Sequence, residues 1–257
     1  MKDLTIIIPI HEYKKEYLDR ALNSVVNFGE CKVSIVGPES VLSEVKEGSV
    51  DIISTLNNVT FVPNNGTSFG FCDNVNVGVF ACTTQYFCIL EFDDIITPTW
   101  VKNVSEHAKI YKDVSAFLPL IEMTNDKTPD AISFANELAW STSFVDELGY
   151  LDVEALKAYY DFSICGGVFK TEDFISIGGL KQSLLIASTY ELLLRMAHNS
   201  KKIYVIPKIG CIHTYGRDGS YMVTAKNEIS QKHGEWLIKT AQQEMFFKED
   251  RNKVFEE

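Results

Sequence analysis

Three carboxylates crowd one short stretch of the sequence: Glu91, Asp93 and Asp94, in the run YFCILEFDDIITPTW from Tyr86 to Trp100. Packed this closely, ionised carboxylates repel one another and push each other's pKa upward unless a cation sits among them. Hard oxygen donors suit Mg²⁺ or Mn²⁺, ions that keep open positions for phosphate oxygens. Glu91 and Asp93 lie two residues apart, so in extended backbone their side chains would share a face. A solvated acidic turn that merely caps the next helix is the competing reading of such a triplet. Further along, His213 opens the segment HTYGRDGS. A neutral imidazole can ligate a metal and a charged one can pair with phosphate, while a buried, hydrogen-bonded histidine is the plainer alternative. Arg217 offers a second cation there, or a simply solvated loop arginine.

The acidic stretch needs elements to hold it. Tyr86 to Leu90 is a nearly continuous apolar run, the pattern of a strand covered on both faces in a largely parallel sheet. In open α/β sheets, ligands bind at the carboxyl ends of such strands. Thr97 followed by Pro98 spells a helix start, with Thr97 as N-cap and Pro98 at the first helical position. Upstream, TIIIPI from Thr5 to Ile10 reads as a first buried strand. Leu18, Ala21, Leu22, Val25 and Val26 then form a helical stripe ending near Gly29. Val33 to Val36 and Val59 to Val62 are further short strands, separated by a helix over Pro38 to Lys46 with Gly48 just past its end. The stretch PNNGTSFGFCDNVNVGVFACTT joins an asparagine- and glycine-rich loop to a helix striped by Phe71, Val75 and Val79. Strand and helix thus alternate four times without hairpin turns, which predicts a parallel, doubly wound half. The turn after the first strand, PIHEYKKE, contains neither GxGxxG nor a GxxxxGK[ST] phosphate loop. His11 stands in that turn, positioned to touch a ligand or to remain solvated.

The whole chain narrows the function classes. Its 257 residues carry a formal charge of −11, which argues against a nucleic-acid partner, because such proteins present a basic face. No apolar run approaches the roughly 20 residues of a membrane span, and Met1-Lys2-Asp3 leads straight into a strand-like run rather than a signal peptide. A cytoplasmic protein is expected. The six cysteines, at 31, 72, 82, 88, 165 and 211, form no CxxC pair and sit mostly in apolar runs, which predicts reduced, buried thiols rather than disulfides or zinc sites.

Several of these segments, in this order, resemble nucleotide-sugar transferases of glycosyltransferase family 2, which have the GT-A fold. GTSFGFCDNVNVG followed by YFCILEFDDIITPTW is similar to the family's glycine-rich segment with N-x-G and the apolar strand ending in a DxD-type motif. Asn76 and Gly78 match the N-x-G, and Glu91, Asp93 and Asp94 occupy the acidic motif. TIIIPIHEY resembles the family's opening strand, so Pro9, His11 and Glu12 are implied as nucleotide contacts. SICGGVFKTEDFISIGGLKQSLLIASTYELLLRMA resembles the later glycine-containing strand, GG turn and acceptor-side helix, with Gly167, Gly178, Gly179, Glu191 and Arg195 in register. KIYVIP and IHTYGRDGS resemble a later strand and a histidine–serine segment. The likeness runs from about Thr5 to Ser220. Three positions depart from the pattern. The second strand's acidic turn reads Val36-Gly37-Pro38-Glu39-Ser40, leaving Glu39 as a displaced nucleotide contact; Glu91 replaces an aspartate; and the acidic pair before the acceptor helix reads Ser188-Thr189.

The resemblance implies an α/β, GT-A chain with a mostly parallel central sheet. A nucleotide-sugar-binding half would span residues 1–123, an acceptor-side half 124–222, and a helical extension 223–257, the last a candidate for packing on the domain or on a second copy. Function follows as metal-dependent, inverting transfer of a sugar from a nucleoside-diphosphate sugar to a glycan or other hydroxyl acceptor. Mn²⁺ or Mg²⁺ would be held by Glu91, Asp93, Asp94 and His213. Pro9, His11, Glu12, Glu39, Asn76, Gly167 and Arg195 would bind nucleotide or substrate, and Glu191 would be the catalytic base. An i, i+4 pair between Glu191 and Arg195 is the alternative for that glutamate. A catalytically silent binding module on the same fold competes with the enzyme. A nucleotidyltransferase is disfavoured by the first turn, which lacks a triphosphate loop.

Overall fold

The structure, a computed structural model, describes residues 3–29, 31–66, 70–125, 128–217 and 220–244. Its frame is one mixed sheet. The first strands are β1 (Leu4–Pro9), β2 (Lys32–Gly37), β3 (Val59–Pro63) and β4 (Tyr86–Ile89), all paired in parallel in the order β3-β2-β1-β4. The connecting helices are α1 (Lys15–Val25), α2 (Glu39–Gly48), α3 (Val50–Thr55) and α4 (Phe71–Phe80). This is the parallel half that the alternation predicts. β1 shows why its sequence is apolar at every position but Thr5. Ile6 and Ile8 pack with Leu18 and Leu22 of α1, while Ile7 faces Val75 and Val79 of α4 on the opposite side. A strand buried on both faces has no polar side to show.

Beyond β4 the sheet changes character. β5 (Ile95–Ile96) follows the acidic turn, and α5 (Trp100–Ile110) leads to β6 (Val114–Asn125). β7 (Thr128–Ala135) folds back antiparallel on β6 as its hairpin partner. β8 (Tyr150–Leu151), α6 (Val153–Ala158), β9 (Val168–Lys170), α7 (Thr171–Ser176), α8 (Ser188–His198) and β10 (Lys202–Thr214) complete the frame. β9 lies antiparallel between β4 and β6, and β10 runs parallel to β6 for most of its length. KIYVIP and IHT are therefore one long bulged strand rather than two segments.

The helix after the acidic motif starts later than expected. Thr97 does not cap it: its hydroxyl donates to the Ile209 carbonyl (2.8 Å) and its amide to the Gly210 carbonyl (3.0 Å), tying the turn to β10, and Thr99 takes the cap position. At the far end, α9 (Tyr221–Glu228) and α10 (Gln231–Glu244) form the described part of the tail. Leu237 and Ala241 of α10 are buried in the same core as Tyr190 and Leu194 of α8, so that apolar face is used within the chain. Met245, Phe246 and Phe247, further apolar residues of the tail, lie outside the described residues.

Candidate active site

β4 ends at Ile89, and the next residues turn instead of continuing extended. The Asp94 amide donates to the Glu91 carbonyl (3.1 Å), closing a tight turn. That turn overrides the alternation expected of a strand, and it sorts the carboxylates differently. Glu91 and Asp94 converge on one side with Cys165 and His213, whose donor atoms all lie within 4.8 Å of one another. Asp93 turns the other way and receives the Arg217 Nε at 2.6 Å.

Asp94 is fully buried and is held on several sides. The Thr214 amide donates to its Oδ1 (3.0 Å), His213 Nδ1 lies 2.9 Å from Oδ2, and the Cys165 thiol donates to the same oxygen. The backbone of the turn is anchored separately. The Thr214 hydroxyl donates to the Asp93 carbonyl (2.8 Å), and Arg20 of α1 reaches the same carbonyl (2.9 Å). Cys165 is fixed by its own neighbours. Gly166 donates its amide to the Ile89 carbonyl (2.9 Å), the Trp100 indole donates to the Gly166 carbonyl (2.7 Å), and the Asn136 side chain bonds both the amide and the carbonyl of Ser163. Two pieces of chain far apart in sequence are thereby locked against the end of β4.

Electrostatics follow from burial. Loss of water and the nearby Asp94 charge push Glu91 up to about 8, so it is largely protonated at neutral pH when no cation is bound. Burial and Asp94 also raise Asp93, against the opposing pull of Arg217. Burial opposes charge on His213, yet the Asp94 carboxylate overcomes it and raises the imidazole well above its ordinary value. The Cys165 thiol is raised far above its normal range by its hydrogen bond with Cys211, by burial and by Asp94.

Two adjoining cavities open from this cluster, and Glu91, Phe71 and Ser220 line both. The smaller, about 20 Å³, is bounded by Pro9, His11, Asn74, Asp93 and Arg217. Arg217 dominates it, bridging Asp93 and Glu12 (3.0 Å) while its guanidinium lies over the rings of Tyr17 and Phe92. The larger, about 260 Å³, is walled by Asp161, Cys165, His213, Ser188, Thr189 and apolar groups including Leu185 and Ile186.

The structure therefore gathers Pro9, His11, Glu12, Glu91, Asp93, Asp94 and His213 around one site. The remaining sequence candidates stand elsewhere. Glu39 is exposed on α2 and pairs with Lys46 (3.5 Å), lining neither cavity. Asn76 also misses the site: its side chain clamps the amide and carbonyl of Leu180 (2.9 and 2.8 Å), tying α4 to the Gly178-Gly179 turn, and Asn74 takes the place on the cavity wall. Gly167 is an architectural position, where an added Cβ would lie 2.7 Å from the Ile164 carbonyl oxygen. Glu191 is fully buried on α8. Arg195 grips both of its oxygens (2.7 and 2.8 Å), and Lys181 adds a third contact (3.0 Å). Arg195 is spent on that pair and on the Ile177 and Gly179 carbonyls. A carboxylate so enclosed, absent from either cavity wall, is a packing element and not a base facing substrate; the i, i+4 alternative is the arrangement found.

Sequence reading missed Cys165 because no second cysteine or histidine stands at metal-ligand spacing beside it; only the fold brings it to Asp94. Asp161 carried no motif at all.

The family model for glycosyl transferase family 2 matches residues 5–148, which contain the first four strands and the acidic turn. The chain belongs to glycosyl transferase family 2. A curated relative, described as an uncharacterized glycosyltransferase of Haemophilus influenzae, is 20% identical over 113 residues, 44% of this chain and 35% of that protein. The match thus spans about a third of the relative. S. aureus TarS in complex with UDP-GlcNAc superposes with a TM-score of 0.72 at 16% identity, covering 96% of this chain and 67% of TarS. The mannosyltransferase PcManGT of Pyrobaculum calidifontis, solved with GDP-Man and Mn²⁺, superposes with a TM-score of 0.61 at 14% identity, covering 95% of this chain and 70% of the other. The mixed sheet of this family 2 protein is accordingly the GT-A fold. Among its described residues no helix is long and apolar enough to cross a membrane.

Proposed function

We propose that this family 2 chain transfers a sugar from a nucleoside-diphosphate sugar to an acceptor hydroxyl, with inversion at the anomeric carbon and with help from a divalent cation. The observation that carries the reading is that Glu91, at the carboxyl end of β4, lines both cavities, so groups seated in the two would meet beside the acidic cluster. The solved relatives with UDP-GlcNAc and with GDP-Man and Mn²⁺ support it.

The smaller cavity, with Pro9, His11 and Asn74 on its walls, is the nucleotide side. Glu91, Asp94 and His213 present oxygen and nitrogen donors that fit a divalent cation. When bound, such an ion neutralises the diphosphate leaving group and polarises its oxygens. Arg217 adds a positive charge on the same side. The larger cavity takes the acceptor. Inversion by a single displacement needs a base that removes the acceptor hydroxyl's proton as its oxygen bonds the anomeric carbon and the bond to diphosphate breaks. With Glu191 sealed in its ion pair, Asp161 is the carboxylate on that wall besides Glu91, and we assign it the base role. Six unpaired cysteines accord with a reducing, cytoplasmic setting.

The test pairs donor binding with product analysis, using UDP- and GDP-sugars with Mn²⁺. Asp161→Asn should lower transfer by about 100- to 10,000-fold, the usual worth of general-base assistance, and leave donor affinity unchanged. Absence of donor binding by the wild type would reject the enzyme. Binding without turnover would instead favour a silent nucleotide-sugar-binding module, a reading that Ser188 and Thr189 on the cavity wall motivate.

A further inference from the structure

The donors facing the acidic turn are more varied than a Mg²⁺ or Mn²⁺ site requires. Carboxylates suit those ions, whereas imidazole and especially thiolate favour ions further along the affinity series. We propose that Glu91, Asp94, Cys165 and His213 form a mixed oxygen, nitrogen and sulfur site for a borderline divalent ion of the Zn²⁺ class, with the Cys165 thiolate as a ligand. The inference rests on the cation site proposed above and adds the identity of the ion and the sulfur that selects it.

Geometry supports four-coordination. Ligand bonds of about 2.0–2.3 Å imply tetrahedral donor-to-donor edges of roughly 3.3–3.6 Å. Here His213 Nδ1 lies 2.9 Å from Asp94 Oδ2 and 3.8 Å from Cys165 Sγ, and all four donor atoms fall within 4.8 Å of one another. Cys165 Sγ and Asp94 Oδ2, 2.5 Å apart in their hydrogen bond, would have to separate to ligand-edge distance as an ion replaced the shared proton. The supporting contacts are of the kind that orient metal ligands. Thr214 donates its amide to Asp94 Oδ1, leaving Oδ2 toward the cluster, and the Gly166 backbone beside Cys165 is pinned by Ile89 and Trp100. Cys165 and His213 also line the 260 Å³ cavity, which gives the ion a path in and room for a substrate oxygen. Without the ion, the thiol proton sits in the hydrogen bond to Asp94. On binding, that proton leaves to solvent as the sulfur–metal bond forms.

Cobalt reports thiolate ligation directly. The full-length protein, kept reduced and metal-free, is titrated with Co²⁺ with and without UDP and followed by absorption. A sulfur-to-cobalt charge-transfer band in the near ultraviolet is expected in the wild type, lost in Cys165→Ser and retained in Cys211→Ser. In competition, the preference for Zn²⁺ over Mn²⁺ should fall at least tenfold in Cys165→Ser. Co²⁺ binding that shows only visible bands, a charge-transfer band that survives Cys165→Ser, or an unchanged Zn²⁺/Mn²⁺ preference would overturn the sulfur ligand and leave the cation site standing. Failure of Co²⁺ and Mn²⁺ alike to bind, with UDP present or absent, would overturn both. Should Cys165→Ser not fold, the wild-type band and its loss in His213→Gln decide the matter, and a band unchanged in that variant would count against the site.

Discussion

Arg217 shows how one side chain can set the character of a site. It reaches Asp93 at 2.6 Å and Glu12 at 3.0 Å with only 2% of its side chain exposed, so one guanidinium joins carboxylates from two distant segments, the buried Asp93 and a Glu12 that also pairs with Lys14. Removing one member of a buried pair strands the other charge, which typically costs about 3–5 kcal/mol. Arg217→Met should lower unfolding stability by about that much in urea denaturation. Adding Asp93→Asn to it should recover a large part of the loss. If the single variant matches wild type, Arg217 is a bystander and Asp93 is balanced by something else. Glu191 is the contrasting residue. Its role as a base rested on register with a family motif, and nothing in one-dimensional spacing distinguishes a carboxylate at a cavity from one clamped by its i+4 arginine.

Among the elements, β10 does more for the site than its sequence suggests. It supplies Gly210, His213 and Thr214 in succession, and through Gly210 it lies directly against Trp100 of α5, where an added Cβ would come within 2.4 Å of the indole ring. Trp100 in turn holds the Gly166 carbonyl next to Cys165. Gly210→Ala should therefore destabilise the fold by about 1–3 kcal/mol through overpacking, and weaken divalent-cation binding by displacing the Cys165 segment. Calorimetry with and without the ion checks both; unchanged cation affinity would show that the segment is held by other contacts. The parallel half was legible because doubly buried strands and striped helices write their periods into the sequence, as Ile6, Ile7 and Ile8 do in β1. The second half was not. β9 pairs antiparallel with β4 and β6, both distant from it in sequence, so neither period nor turn residues reveal its place. The acidic motif was legible as composition, while its geometry was not, because the turn at Glu91 replaced the extended backbone on which the Glu91/Asp93 reading relied.

At the level of the whole molecule, the buried acidic cluster ties stability to pH. An acid whose pKa is raised on folding, such as Glu91 at about 8 against its ordinary 4.5, costs nothing below the lower value. Its penalty grows as pH rises from about 4.5 to about 8 and is constant above, because the unfolded chain has released a proton that the folded chain retains. His213, also raised, contributes stability that is lost as pH climbs through its folded value, which has the same sign. The metal-free protein should lose melting temperature steadily between pH 5 and pH 8, a window set by Glu91. Glu91→Gln should flatten that slope, and a saturating divalent cation should reverse part of it. A profile that rises across the window would place these groups in water.

The confined smaller cavity, proposed above as the nucleotide side, carries a kinetic implication. A chamber of about 20 Å³ is far smaller than a nucleoside, so seating one there requires its walls, Arg217 among them, to part. Capture would then be limited at high concentration by that rearrangement, and stopped-flow rates with UDP or GDP should level off to a plateau instead of climbing in a straight line. Loosening Arg217 should raise the plateau.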